Sequence, residues 1–189
     1  MIPYSRQQIT EEDIKAVTDA LKDDILTGGQ KVSKFEEELA SYVGVKHVIA
    51  MNSATSALHV AYLSLGVKDG DEVITTPITF AATANAALMA GAQVKFCDIK
   101  ANGNIDEEKI PTLITPKTKA ITAVDYGGNP VELDKIINLA KKHGIKVIDD
   151  ASHALGSVQK GVKVGVKADI SIFSFHPVKP ITTLEGGAL

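Results

Sequence analysis

Apolar positions along the chain alternate between two kinds of pattern, a 3.6-residue helical stripe and short continuous runs typical of buried strands. Thr10 followed by Glu11, Glu12 and Asp13 predicts a helix start, with Ile14, Val17 and Leu21 on one face. A second helical pattern covers residues 31–43 and stops at Gly44. Residues 47–51 read as a short strand, 53–65 as a helix closed by Gly66, and 72–76 as a strand stopped by Pro77. Residues 80–90 form a helix of small residues, apolar nearly all round, which predicts burial on all sides. Residues 93–99 and 120–125 read as strands, separated by a loop with a weak helix near 106–114 that Pro111 interrupts. The next helix carries a full set of start signals: Asn129 as N-cap, Pro130 at its first position and Glu132 completing a capping box. Its buried stripe is Leu133, Ile136, Ile137 and Ala140, and His143-Gly144 ends it. Strands at 145–149 and 170–175 complete the series. Strands alternating with helices predict parallel pairing through right-handed crossovers, and so a three-layer αβα sandwich around a mostly parallel sheet.

In such sheets ligands bind at the carboxyl ends of the strands. The segments that follow the predicted strands are 52–55, 77–80, 125–128, 150–153 and 174–179, and the unusual polar residues fall there.

Composition removes several classes of function. A net charge of -3 offers no basic footprint for nucleic acid, and 5% aromatics without Trp offers no stacking platform for single strands. Cys97 is the sole cysteine, which excludes a disulfide framework and a Cys-based zinc site. No His/Asp/Glu spacing resembles a metal motif. The first residues lack an apolar leader core, and no run approaches the roughly 18 apolar residues of a membrane span. A cytoplasmic protein with no membrane partner is expected.

Each candidate segment has a chemical and a plainer reading. Residues 52–56 join a strand end to a helix start rich in hydroxyls, which suits a phosphate but also describes an ordinary N-cap. Neither G-x-G-x-x-G nor G-x-x-x-x-G-K-[ST] occurs. Asp149 and Asp150 are adjacent on a strand and face opposite ways, so at most one points into a site. That carboxylate could meet a metal, a ribose hydroxyl or a protonated ring nitrogen, or simply cap a strand end. His153 gains weight beside Asp150, whereas His47, His59 and His143 read as structural. Lys179, in a turn between two prolines after an apolar strand, suits Schiff-base chemistry if its pKa is lowered, or is a surface lysine reaching out of a loop.

Together, NSATSAL, TTPITFAATANA, DDASHALGS and SFHPVKPITTLEGG resemble the DegT/DnrJ/EryC1/StrS nucleotide-sugar aminotransferases, pyridoxal 5'-phosphate (PLP) enzymes of fold type I. The likeness runs from the first helix to the last residue, in the family's order and approximate spacing. It implies that Lys179 is the Schiff-base lysine and, once released, moves the proton between the reacting carbons. It implies that Asp150 pairs with the pyridine nitrogen, whose retained proton makes the ring an electron sink. His153 falls near the ring's phenolic oxygen, Ala54, Thr55 and Ser174 match phosphate contacts, and Phe80 matches the aromatic that stacks on the ring. Thr27, Tyr126 and His176 fall on the substrate side. A dehydratase branch carries His at the lysine position, so Lys179 implies transamination.

Within the family, DYGGN, DDASHALGS, SFHPVKPITT and NGNID are most similar to the branch serving pseudaminic acid biosynthesis. That implies amination of C4 of a UDP-4-keto-6-deoxy-N-acetylhexosamine with L-glutamate as donor, other 4-amino sugar nucleotides being the alternative. Leu184 departs from the small residue usual before Glu-Gly-Gly. The resemblance also implies a homodimer with shared active sites, and proteins about twice this length with a small C-terminal domain. On that basis residues 1–189 are expected to hold an N-terminal segment and most of the PLP-binding large domain. Residues 186–189 then begin a further sheet strand, and apolar surface is left uncovered, favouring association. Two other readings stay open: a PLP-binding fragment without turnover, and a plain nucleotide-binding α/β domain that needs no Lys179.

Overall fold

The computed structural model describes residues 6–189; residues 1–5, at the head of the segment read as free of an apolar leader core, lie outside the described residues. Helices α1 (Glu11–Ala20) and α2 (Gln30–Val43) come first, then β1 (Ala50–Met51), α3 (Ala54–Ser64) and β2 (Glu72–Thr75). Helix α4 (Ala82–Met89), β3 (Gln93–Phe96) and β4 (Thr118–Val124) follow, then α5 (Leu133–His143) and β5 (Lys146–Asp150). Short strands β6 (Val158–Gln159) and β7 (Val162–Lys163) form a separate hairpin, and β8 (Ile170–Ser174) and β9 (Gly187–Ala188) end the series.

The sheet has seven strands in the order β1-β9-β8-β5-β4-β2-β3. Strands β3, β2, β4, β5 and β8 run parallel to one another, while β9 runs antiparallel to β8 and β1. Register and burial put alternate residues in separate cores. Ala120, Ile148 and Ile172 pack under α3 and α4. Ile121, Ala123 and Val147 pack under α5, and Phe173 and Phe175 pack with Leu39 and Val43 of α2. This is the predicted three-layer sandwich, and the strand at the end of the chain is present.

Several expectations fail for identifiable reasons. The capping box at Asn129–Glu132 does not form: α5 begins at Leu133, and its N-cap residue makes no side-chain cap bond. Tertiary hydrogen bonds hold the segment off the helix instead. The Asp125 carboxylate accepts from Val131 N–H (2.8 Å), Asn104 Nδ2 donates to the Asn129 carbonyl (3.0 Å), and Gln159 Nε2 to that of Pro130 (3.1 Å). Helix α4 buries only its inner face, Ala82, Thr83, Ala86 and Ala87, while Leu88 and Met89 are exposed. The weak helix near 106–114 is a single 3-10 turn over Ile110–Leu113, and the first strand shortens to two residues. The β6–β7 hairpin was not foreseen; it turns through Lys160 and Gly161, both at positive φ, without the Asn-Gly signal that marks such turns.

Thr10 caps α1 as read, with a capping box completed by Asp13 rather than a Glu. The apolar stripe of α1 is nonetheless uncovered: Ile14, Val17 and Leu21 are exposed, as are Phe80, Phe96 and Leu184 elsewhere. Among the described residues no helix is long and apolar enough to cross a membrane.

Candidate active site

A cavity of about 410 Å³ opens at the carboxyl edge of the sheet. Strand β1 leads into α3, and Ser53 caps that helix through its hydroxyl, which accepts from Ser56 N–H (3.1 Å). The first-turn residues Ala54 and Thr55 therefore face the cavity with amide groups that lack intrahelical acceptors, and with the positive end of the helix dipole. Strand β9 closes against this turn. A Cβ at Gly187 would collide with the backbone of Ser53 and Ala54, so only glycine permits that approach. Ser174, at the end of β8, lines the same end of the cavity. The result is a cradle for an anion.

Asp150 stands at the end of β5 on the α3–α4 side, and Asp149 points the other way, as strand alternation requires. The Asp150 carboxylate is 5% exposed. Thr83 Oγ1 donates to its Oδ2 (2.7 Å), and Ser152 donates to Oδ1 from its hydroxyl (2.6 Å) and backbone N–H (3.3 Å). Thr79 hydrogen bonds in turn to Thr83 (2.8 Å). These donors fix a carboxylate to receive an N–H from a ligand.

Lys179 closes the opposite wall in a turn whose backbone N–H donates to the His176 carbonyl (2.9 Å). Burial pushes its ammonium pKa below the usual lysine range, partly opposed by the charge of Asp150. That favours the neutral, nucleophilic amine. Burial also lowers the pKa of His153, with a charged Lys179 adding to this and the charge of Asp150 opposing it, which favours the neutral imidazole. Phe80 stands at the rim with its ring 75% exposed.

The structure thus brings Lys179, Asp150, Ala54, Thr55, Phe80, His153, Ser174, Tyr126 and His176 to one cavity. Thr27 is not among its lining residues; it lies exposed in the α1–α2 connection. Sequence reasoning missed Thr79, Thr83 and Ser152. Thr83 carried a usable signal, as the one hydroxyl on an inner helix face otherwise made of Ala82, Ala86 and Ala87.

On the other face of the sheet, Asp149 is fully buried with both carboxyl oxygens unpartnered, and Asp125 Oδ2 is likewise unpartnered. Burial pushes Asp125 up to about 7, aided by the Asp150 charge, and burial with the neighbouring Asp125 and Asp150 carries Asp149 well above the carboxylate range.

The sheet order, the anion cradle and the lysine and carboxylate that share the cavity define a class, and comparison with known proteins gives it a name. The chain belongs to the DegT/DnrJ/EryC1/StrS aminotransferase family, whose profile matches residues 7–189. A UDP-4-amino-4,6-dideoxy-N-acetyl-beta-L-altrosamine transaminase of Campylobacter jejuni is 64% identical over 192 residues, covering 100% of this chain and 51% of its own. The Helicobacter pylori protein PseC, an aminotransferase of pseudoaminic acid biosynthesis, superposes with a TM-score of 0.95 at 48% identity, covering 98% of this chain and 51% of its own. The PLP-form of a putative sugar aminotransferase, Spr1654 from Streptococcus pneumoniae, gives 0.95 at 35% identity, covering 99% and 52%. The fold is therefore that of the aminotransferases of this family, and the chain spans about half the length of the curated relatives it matches.

Proposed function

We propose that these residues form the cofactor-binding part of a PLP-dependent aminotransferase that aminates C4 of a UDP-4-keto-6-deoxy-N-acetylhexosamine, with L-glutamate as donor, in pseudaminic acid biosynthesis. The observation that carries the reading is the convergence of a depressed-pKa lysine, a hydrogen-bonded carboxylate and a helix N-terminus on one cavity. A depressed amine, a fixed acceptor and an anion cradle are the donor set that PLP requires. The similarity to altrosamine transaminases and to PseC supports the sugar assignment, and the PLP- and PMP-forms of Spr1654 support the cofactor.

When bound, PLP supplies an electrophilic carbon and an electron sink. The chain's residues do the rest. The amides of Ala54 and Thr55 with the Ser174 hydroxyl would hold the phosphate. Asp150, steadied by Thr83 and Ser152, would accept the ring nitrogen's N–H and keep its proton in place. His153 would hydrogen bond at the phenolic oxygen, and Phe80 would cover the ring. Lys179 Nζ, favoured as the free amine by burial, would be the group that holds the cofactor covalently and, once released, would be placed to take up and return a proton at the reacting carbons. Tyr126 and His176 border the side where substrate enters.

We place the protein in the cytoplasm as a homodimer. The uncovered Phe80 at the cavity, with Leu88 and Met89 exposed at the other end of α4, supply apolar surface for a second subunit.

The functional test is turnover: the PLP-loaded protein with glutamate and the UDP-linked 4-keto sugar should yield 2-oxoglutarate and the 4-amino sugar nucleotide in equal amounts. Formation of 2-oxoglutarate with no aminated sugar would contradict the substrate assignment. No product from either half-reaction, with PLP bound, would favour a binding unit without turnover.

A further inference from the structure

Tyr126 reaches the cavity mouth from an insecure base. It begins a 3-10 turn of three residues, Tyr126–Gly128, in which Gly127 (φ 60) and Gly128 (φ 83) both lie in the left-handed region. The residue is 43% exposed, so it is not enclosed in the core.

The turn after β3 supplies what is missing. Asn104 is 1% exposed and spans the segment: its Oδ1 accepts from Tyr126 N–H (3.2 Å) and its Nδ2 donates to the Asn129 carbonyl (3.0 Å). One buried amide thus fixes both ends of a four-residue stretch. Gly103, at φ +85, presents bare backbone to the ring itself; a Cβ there would lie 2.5 Å from Tyr126 Cδ1 and 3.0 Å from Cε1. The turn that carries both residues is internally tied, with Lys100 N–H donating to the Asn104 carbonyl (2.9 Å) and Gly103 N–H to that of Lys100 (3.0 Å). On the far side, Ser157 Oγ donates to the Gly128 carbonyl (2.8 Å). Neither Gly103 nor Asn104 lines the cavity.

We infer that Gly103 and Asn104 form a seat that sets the position of the Tyr126 ring at the cavity mouth, and through it govern binding of the nucleotide-sugar substrate while leaving the cofactor end untouched. This rests on the reading of Tyr126 as a substrate-side residue of an aminotransferase. Both are positioning residues, acting through a side chain they do not share with the substrate. Glycine is required at 103 twice over, by backbone angle and by the absence of room for a methyl group. Asparagine suits position 104 because its short side-chain amide carries a separate acceptor and donor, one for each of the two backbone groups it holds.

The test is a double-mutant cycle on the holoenzyme with Gly103→Ala, Tyr126→Ala and the pair, reading PLP content after borohydride fixation, and kcat and KM for the UDP-linked 4-keto sugar. Gly103→Ala should raise KM about tenfold or more, with PLP content unchanged and kcat within about threefold. In the Tyr126→Ala background the same substitution should change KM by less than about twofold, because the ring it displaces is gone. An equal effect in both backgrounds, or an unchanged KM, overturns the inference. If Gly103→Ala alone folds poorly and loses PLP, recovery in the double variant supports the seat, and no recovery overturns it. A wild-type protein that binds no PLP sinks the functional reading and the seat with it, and is distinguished by failing before any substitution is made.

Discussion

Thr83 Oγ1 and Asp150 Oδ2 lie 2.7 Å apart, joining the inner face of α4 to the end of β5 across 67 residues of sequence. The bond is buried, and the hydroxyl is one of three donors that hold this carboxylate. A hydrogen bond to a charged group contributes about 1.5–3 kcal/mol, so Thr83→Val should weaken PLP binding by roughly ten- to a hundredfold. Thr83→Ser, which keeps the donor, should recover most of it. Absorbance titration with PLP measures both, and equal affinities for Val and Ser variants would show that the hydroxyl does not act on Asp150.

Gly187 and the first turn of α3 make a second contact that tolerates no side chain. Gly187→Ala forces β9 away from Ser53 and Ala54, at a cost of about 1–3 kcal/mol in stability. It should also open the anion cradle, so that PLP affinity falls while unphosphorylated pyridoxal binds as before. Equal losses for both ligands would show that the cradle is not where the phosphate sits.

The buried carboxyls of Asp125 and Asp149 predict a pH signature. Both hold a proton more tightly in the folded state than unfolded, where the value is about 3.9. Their contribution to stability is therefore fully present below about pH 4 and is lost as pH rises through the folded values, about 7 for Asp125. Asp149→Asn is neutral at every pH. Its melting temperature should match or fall below that of the wild type near pH 4 and exceed it increasingly toward pH 8. A difference that does not vary with pH would contradict a protonated Asp149.

Leu184 occupies a left-handed conformation (φ 68) and is 66% exposed, so it gives up backbone energy without gaining burial. Leu184→Gly relieves about 1–2 kcal/mol and returns part of it through a more flexible unfolded chain, leaving a net gain below about 1 kcal/mol. Leu184→Val should instead lose about 1 kcal/mol, since a β-branched side chain fits this region worse. Denaturant midpoints at constant slope decide the matter; a stabilised Val variant would contradict it.

Much of this architecture is legible from periodicity, because strand and helix signals rest on local burial. The sheet order brings the ends of β2, β4, β5 and β8 to one edge, so residues read simply as following strands proved to share a cavity. The Asp149–Asp150 pair separated as strand alternation demands. What stayed hidden was set by distant partners. The start of α5 was lost to Asp125, Asn104 and Gln159, none of them local to a capping box. The stripe of α1 and the outer face of α4 are apolar but uncovered, since periodicity shows that a face is apolar, not what lies against it. The antiparallel direction of β9 depends on its pairing with β1 and β8, and two residues carry no period. Thr83 and Ser152 were invisible as a pair because only the fold brings them to one carboxylate.

The central claim is that Lys179 is the group that binds PLP covalently. Incubation with PLP, reduction with borohydride, proteolysis and peptide mass mapping test it directly. The account predicts a single pyridoxyl addition on Lys179, absent from Lys179→Ala. Stoichiometric labelling of another lysine, or labelling that survives Lys179→Ala, would contradict it.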